Sequence, residues 1–567
     1  MDKITKSLVD AYAKSEQLNE YDASDQFAHF AMYSVVSKLY GDTFAVGELL
    51  TGGGNDTGID GVAIFVNGVL IIDADQIKEL AETNKYISAH FVFMQAKSGG
   101  NFNGGEIATF CFGVNEFFKD DPKLPRNGFI QEMVKVQQAV FTHGPLFRHG
   151  KPKITLYYVT TGKWTDDAAV QGRINSEIDQ LRGTGLFANV AFIPVDADTL
   201  QDYYRQSQSK ASAEFIFRDK ITLSEMDGVT QAYLGVLPAK DYLRLVEGEN
   251  DTILKSVFYD NVRDFQEYND VNNGMRQTIL STHQQHFVLL NNGITVITRK
   301  LDTVGDKFFL EDYQIVNGCQ TSHVLFDTRD DLKEEMFVPL KIIATEDDAI
   351  ISKIIEATNS QTEVKADQLL ALSAFQKKLE SYFNAFGGGQ KLYYERRSKQ
   401  YNSNPEIEKV RIVTIPTQIR SFAAMFLDEA HRSHYVRSLQ SMIGSKIFNR
   451  NHQLEAYYVS AYAAYKLEFL FRNRLIDSRF KPARYHLLMA ARYQLVPGSL
   501  PALTSNQIKK ISETICPDLW DESKAVKLFK GAGDVIDRVV GSTSLTRDLM
   551  KTQPFTDAVL KAVGRKS

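Results

Sequence analysis

Asp60, Gln95 and Lys97 are the residues whose types and spacing best fit a chemical task. Gln95 and Lys97 stand two apart at the end of the apolar run HFVFMQAK (90–97), so on a strand they share one face. Asp60 lies in a second apolar run, IDGVAIFV (59–66). A carboxylate and an amide oxygen are hard ligands of the kind Mg²⁺ or Mn²⁺ prefers. A lysine beside them can take a proton from an attacking water and offset charge developing on a phosphorane. Acid, glutamine and lysine on adjacent strands therefore predict a metal-dependent phosphodiesterase. In it Asp60 is metal ligand, Gln95 auxiliary ligand and Lys97 general base. The competing reading is that the three are the polar ends of ordinary strands.

Those residues need a sheet to hold them, and the flanking sequence supplies one. Residues 22–40 read as an amphipathic helix, with Phe27, Phe30, Ala31, Ser34 and Val35 near one face. FAVGELL (44–50) reads as a strand, and the glycine-rich loop TGGGNDTG follows it. VLIID (69–73) is the expected hairpin partner of 59–66 across Asn67-Gly68. Helices are expected over 106–118 and 166–181, and strands over 153–162 and 189–195. This helix–strand–strand–strand–helix–strand order, ending near residue 215, predicts an α/β sandwich.

A second segment, 240–430, mixes both element types. FVLLNNGITVI (287–297) predicts a hairpin around Asn292-Gly293, and YQIVNGCQTSHVLFD (313–327) a strand, a sharp turn and a helix capped by Thr321 or Ser322. A strand is expected over 338–345 and a helix over 348–361. Residues 431–567 are helical in pattern, with Pro482, Pro497, Pro501, Pro517 and Pro554 as boundaries.

The composition of the 567-residue chain, 43% apolar and 24% charged, is that of a soluble multidomain globular protein. No apolar run is long enough for a membrane helix, and the N-terminus lacks a secretory apolar core. Cys111, Cys319 and Cys516 lie too far apart for a disulfide framework or zinc spacing, so a cytoplasmic location is expected. The net charge of −5 conceals a basic block. Residues 391–500 hold 18 Lys and Arg against 8 Asp and Glu, a balance of +10, while the rest of the chain carries −15. With Tyr393, Tyr394, Tyr401 and Phe448 interleaved, the block predicts a nucleic-acid surface; the bland alternative is solvated helix faces.

The middle segment is also rich in amides: Asn261–Arg263, Asn272, Asn273, Asn292, Asn317, Gln320, Asn359 and Gln361, with Arg396 and Arg397 beyond. Amides both donate and accept, which suits base edges or ribose, and arginine suits phosphate. Asn317, Gln320, Asn359 and Gln361 are expected to converge on one cleft beside Arg396 or Arg397 that binds nucleotide or nucleic acid, with Asn292 and Thr321 contributing. Satisfied turn backbones are the alternative. No GxxxxGK[ST] string is present, which excludes a P-loop.

On Asp60 and Gln95-x-Lys97, the first segment resembles the restriction-endonuclease-like PD-(D/E)xK superfamily in its QxK variant. That family often adds an acid on its first helix, for which Asp25 is the match; Glu48, on the first expected strand, is the other candidate ligand. Gln95 departs from the commoner carboxylate and removes one negative charge, which Asp25, Glu48 or Asp56 would have to offset. Asp56 is expected instead to turn the glycine loop. GIDGVAI, FVFMQAKSGGNF, NNGIT and IVNGCQT resemble the AIPR family, named for abortive infection phage resistance, over most of residues 20–430. Cys319 stands where that family's NGxQT string is expected to hold a small residue. The resemblance implies bacterial antiphage defence by an N-terminal nuclease joined to the family's own domain.

The expected protein is thus α/β in class. It has a restriction-endonuclease-like domain (1–215), a mixed α/β middle domain (240–430) and a helical C-terminal domain (431–567). It is expected to be a Mg²⁺- or Mn²⁺-dependent endonuclease that cuts DNA in preference to RNA, with a homodimer suited to paired cuts, a phage-derived trigger and no membrane. The alternatives are a nuclease-inactive nucleic-acid or phage sensor, and a nucleotide-binding protein centred on 315–321.

Overall fold

Phe91, Phe93 and the apolar residues around them need two covered faces, and the first sheet provides them. In the computed structural model, β1 (Gly61–Val66) pairs antiparallel with β2 (Val69–Ile71) and with β3 (Ala89–Lys97). Then β4 (Lys153–Thr160) and β5 (Asn189–Val195) add on in parallel, giving the order β2-β1-β3-β4-β5. The Asn67-Gly68 hairpin forms as expected, both residues being left-handed with φ of 51° and 74°. Every residue of β1 is buried, and side chains alternate between two apolar layers along β3. Complete burial of a phenylalanine such as Phe93 contributes about 2–3 kcal/mol. The structure describes residues 1–567 except 53, 148–149, 166, 209–210, 249–251, 255–256, 259–269, 360–365, 397–399, 402–403, 405, 435–436, 542–544 and 566–567.

Helices flank this sheet: α2 (Ala23–Leu39), α3 (Asp75–Asn84), α4 (Gly104–Phe117), α5 (Gly128–Thr142), α6 (Ala168–Gly183) and α7 (Ala197–Gln208). The α2 residues Phe27, Phe30, Ala31, Ser34 and Val35 are all fully buried, as their spacing requires. Residues 44–50 differ from expectation. They form a 3₁₀ turn, Val46–Glu48, and touch the sheet through one bridge, Leu50 to Gly61. Edge contact with β1 is taken up instead by β2, which leaves this segment only its last residues to pair.

The second sheet has six strands in the order β6-β12-β11-β13-β8-β7. These are β6 (Ser212–Ile216), β7 (Asp219–Thr222), β8 (Gln231–Pro238), β11 (Ile294–Val304), β12 (Lys307–Asn317) and β13 (Phe337–Ala344). Only the β11–β13 pair is parallel. A small ladder, β9 (Glu247–Gly248) with β10 (Thr252–Ile253), and the helices α8 (Ala239–Leu243), α9 (Asp270–Leu280), α10 (Phe287–Leu290), α11 (Cys319–Asp327) and α12 (Asp348–Asn359) complete it. The sheet recruits 212–238, so the middle body begins well before residue 240. No hairpin forms at Asn292-Gly293. The Asn291 side chain accepts the Gly293 N–H, and the apolar residues before it wind into α10, so β11 starts only at Ile294.

By packing, the chain divides into one unit of residues 31–366 and another of residues 2–30 with 367–567. The latter, besides α1 (Lys3–Ser15), is built from α13 (Ala366–Asn384), α14 (Ile415–Phe426), α15 (Leu454–Arg472), α16 (Arg484–Leu495), α17 (Asn506–Trp520), α18 (Glu522–Val540), α19 (Arg547–Met550) and α20 (Gln553–Ala562). A short parallel pair, β14 (Tyr393–Glu395) with β15 (Ile412–Thr414), joins them. Its core includes Phe422 stacked on Tyr457 at 3.9 Å. Residues 367–430 therefore pack with the C-terminal helices. Pro517 lies inside α17 rather than at a boundary. No helix among the described residues is long and apolar enough to cross a membrane.

Candidate active site

Asp60 sits immediately before β1, where its backbone is held on both sides. Its N–H bonds the Met94 carbonyl and its carbonyl accepts from Thr51 N–H, each at 2.9 Å. The carboxylate then reaches across β3: Asp60 Oδ2 accepts the Ala96 N–H at 2.7 Å, between Gln95 and Lys97. This bond sets Asp60 beside the stretch of β3 that carries Gln95 and Lys97.

Along β3 the row Phe91, Phe93, Gln95, Lys97 runs from apolar core to the open end of the strand. Gln95 is 5% exposed, and its Oε1 is buried with no hydrogen-bond partner among the described residues. A buried acceptor left unbonded costs about 1–3 kcal/mol, so a cation or an ordered water is the expected partner. In register beside Gln95 on β4 is the buried Tyr158, whose hydroxyl donates to Glu106 Oε2 at 3.0 Å. Burial, the Glu106 carboxylate and the nearby Asp60 charge all push the Tyr158 phenol up, so it stays protonated and donates. Glu106, in the first turn of α4, and Tyr158 were not found from sequence. Each lies some fifty residues from its partner, and no local pattern links them.

The glycine-rich loop docks on α4. A Cβ at Gly113 would lie 1.7 Å from the Thr57 carbonyl oxygen, so only glycine there admits the loop. Asp56 turns the loop as expected, its Oδ1 accepting the Gly58 N–H at 2.9 Å. Of the other acids offered as ligands, Glu48 ends the 3₁₀ turn, not a strand. Asp25 belongs to the helical unit, where its carboxylate faces Arg474 at 3.8 Å; burial first and then Asp22 push it up, against Arg474. Among the described residues, no three His, Cys, Asp or Glu side chains form a group that could hold a metal. The Asp60 carboxylate and the Gln95 amide oxygen are nevertheless of the donor type a hard cation takes.

The middle motif residues hold one another. Gly318 has φ 99° and precedes α11; a Cβ there would lie 2.7 Å from Ile294 Cγ1. Gly318 itself is the N-cap, so neither Thr321 nor Ser322 plays that part. Asn272 Nδ2 donates to Gln320 Oε1 at 2.7 Å, and Asn291 Nδ2 to Thr321 Oγ1 at 2.9 Å. Ser322 and Tyr242 share a buried hydroxyl pair. Asn292 is exposed, and Asn317 ends β12 opposite Thr295.

Residues 258–532 match the AIPR protein family.

The match spans the Gly318 turn and most of the helical unit, but not Asp60, Gln95 or Lys97. No curated protein and no solved structure matches the chain. Within the AIPR segment only Asn317 and Gln320 of the expected four-amide cleft have described side chains. The helices α11 and α12 cover opposite faces of the sheet, α11 over the Ile315 side and α12 over Val316 through Ile351. Asn359 ends α12, but its side chain lies outside the described residues, as do Gln361, Arg397, Lys399 and Asn261–Arg263. Arg396 is in the helical unit, paired with Glu380.

Part of the basic block is spent inside that unit. Arg411 pairs with Glu408 and lies over the Tyr465 ring, Arg484 pairs with Glu468, Arg479 with Asp537, and Arg492 with Asp428. Tyr394 and Phe448 are buried in the core, where no base can reach them, and Tyr401 donates to Glu380. Two of the acids that complete these pairs, Glu380 and Asp537, lie outside 391–500 and do not enter the charge counted within the block.

Proposed function

We propose that this chain is a metal-dependent nuclease that cuts DNA in defence against phage. One observation carries the reading: the Asp60 carboxylate grips the main chain between Gln95 and Lys97, while Gln95 Oε1 on the same strand remains buried, with no partner among the described residues. Asp60 and Gln95 would hold Mg²⁺ or Mn²⁺. When bound, such an ion neutralises phosphate charge and lowers the pKa of an attacking water. Lys97, on the Gln95 face of β3, would take up the water's proton. Tyr158, donating to Glu106, would fix the floor of the site beside Gln95.

The AIPR match supports the defence role, as abortive infection is what that family is named for. A second reading, a nuclease-inactive sensor of nucleic acid, is favoured by the lack of a three-acid group among the described residues. Cleavage of plasmid DNA and of RNA with Mg²⁺, Mn²⁺ or EDTA separates the two. Metal-dependent cutting lost in Asp60→Asn supports the nuclease. Binding without cutting under every condition supports the sensor.

A further inference from the structure

Lys97 leads directly into the loop Ser98–Asn103, whose backbone is pinned to the end of β4. Thr161 N–H bonds the Gly99 carbonyl at 3.2 Å, and the Thr161 hydroxyl donates to the Ser98 carbonyl at 3.0 Å. A Cβ at Gly162 would lie 1.8 Å from the Gly100 carbonyl oxygen, so the two backbones are pressed together. This fixes Phe102 against Trp164, with ring centroids 4.8 Å apart and planes at 74°. Phe102 also lies 6.0 Å from the ring of Tyr158, the cross-strand neighbour of Gln95. Both rings are only half-buried: they rest on the sheet core and keep an open side.

Cations and acids both border the pair. Lys163, next to Trp164, is exposed, and the exposed Arg173 runs its stem over Gly104, two residues past Phe102. Glu106, Asp167 and Asp196 are acids of the same rim; Glu106 accepts from Tyr158, Asp167 caps α6, and Asp196 accepts the N–H groups of Trp164 and Thr199. Apolar packing on the core would be met equally by leucine at both positions. An open aromatic pair one loop away from Lys97 is suited to stack a base, a contact that tolerates any sequence and rests on the ring faces rather than on charge.

We propose that Phe102 and Trp164 form a stacking subsite for an unstacked nucleobase of the strand being cut. The assignment rests on the nuclease reading for its choice of ligand. The nuclease would accordingly prefer single-stranded or locally opened DNA over intact duplex.

The chain has two tryptophans, so Trp520→Phe leaves Trp164 as the sole indole reporter. In EDTA, which prevents cutting, a short oligothymidylate is expected to quench Trp164 emission, while inorganic polyphosphate, a base-free polyanion, is not. Phe102→Leu, which keeps apolar bulk, should weaken oligothymidylate binding roughly tenfold at an unchanged melting temperature. Trp164→Leu, followed by anisotropy of a labelled oligothymidylate, should do the same. Binding without quenching, quenching by polyphosphate alone, no binding, or unchanged affinity in both leucine variants would each overturn the subsite. Quenching that persists in a protein unable to cut under any condition would retire the nuclease and leave the subsite. Cutting without quenching would do the reverse.

Discussion

Replacing Gln95 by methionine should make the protein more stable and useless at once. Gln95 lies on β3, 5% exposed, with an amide oxygen that no group among the described residues satisfies. That acceptor costs about 1–3 kcal/mol in the metal-free protein. Methionine has nearly the same length, fills the same space and removes the unsatisfied oxygen. Unfolding by urea in EDTA should therefore show Gln95→Met to be more stable by about 1–2 kcal/mol, at the low end of that cost because the thioether fits less well than a designed core residue. Mg²⁺ should reverse the order. At a free concentration roughly a hundredfold above its dissociation constant it adds about 2.7 kcal/mol to a protein that binds it, and nothing to one that does not. The wild type should gain and the variant should not. A variant less stable than wild type in EDTA, or one that gains equally from Mg²⁺, would refute the idea that Gln95 is held in an unfavourable place for a ligand.

Other expectations follow from the same geometry. Lys97→Ala should abolish cutting with the melting temperature intact, since Lys97 lies at the open strand end; a wild-type rate in that variant would remove Lys97 from the chemistry. Gln95→Glu should retain activity, because it supplies the commoner charged ligand, and loss of cutting would assign Gln95 another task. Burial pushes His29 and His90 down to about 4 and His434 to about 3, each from an ordinary value of 6.5. The unfolded chain then binds more protons, so stability is full above about pH 6.5 and falls as pH drops towards 4, by up to about 1.4 kcal/mol per pH unit for each histidine. Urea titrations between those limits measure it, and a flat profile would contradict the burial. Arg396→Ala should lower stability by about 3 kcal/mol through the stranded Glu380, with little change in DNA affinity measured by anisotropy; the opposite pattern would return Arg396 to the nucleic-acid surface.

Local signals were legible in this sequence and long-range ones were not. The run HFVFMQAK became β3 because its alternating bulk needs two covered faces, and Asp60 met it because an antiparallel neighbour fixes register. The same Asn-Gly signal succeeded at Asn67 and failed at Asn292, where the side chain of the preceding Asn291 closed a different turn. Glu106 and Tyr158 were invisible because their partnership exists only once α4 lies across the sheet. Arg396, Tyr394 and Phe448 were read from local charge and aromatic content, which says nothing about the distant Glu380 or the helical core that claims them.

DNA cutting by Asp60 and its neighbours with a divalent ion is checked by comparing wild type with Asp60→Asn in Mg²⁺. Asparagine keeps an oxygen that can accept the Ala96 N–H but removes the charge that would hold the cation. Wild type should cut, EDTA should stop it, and Asp60→Asn should fold normally and not cut. Cutting by Asp60→Asn at the wild-type rate, or cutting by wild type that EDTA leaves untouched, would remove the metal-dependent nuclease assignment.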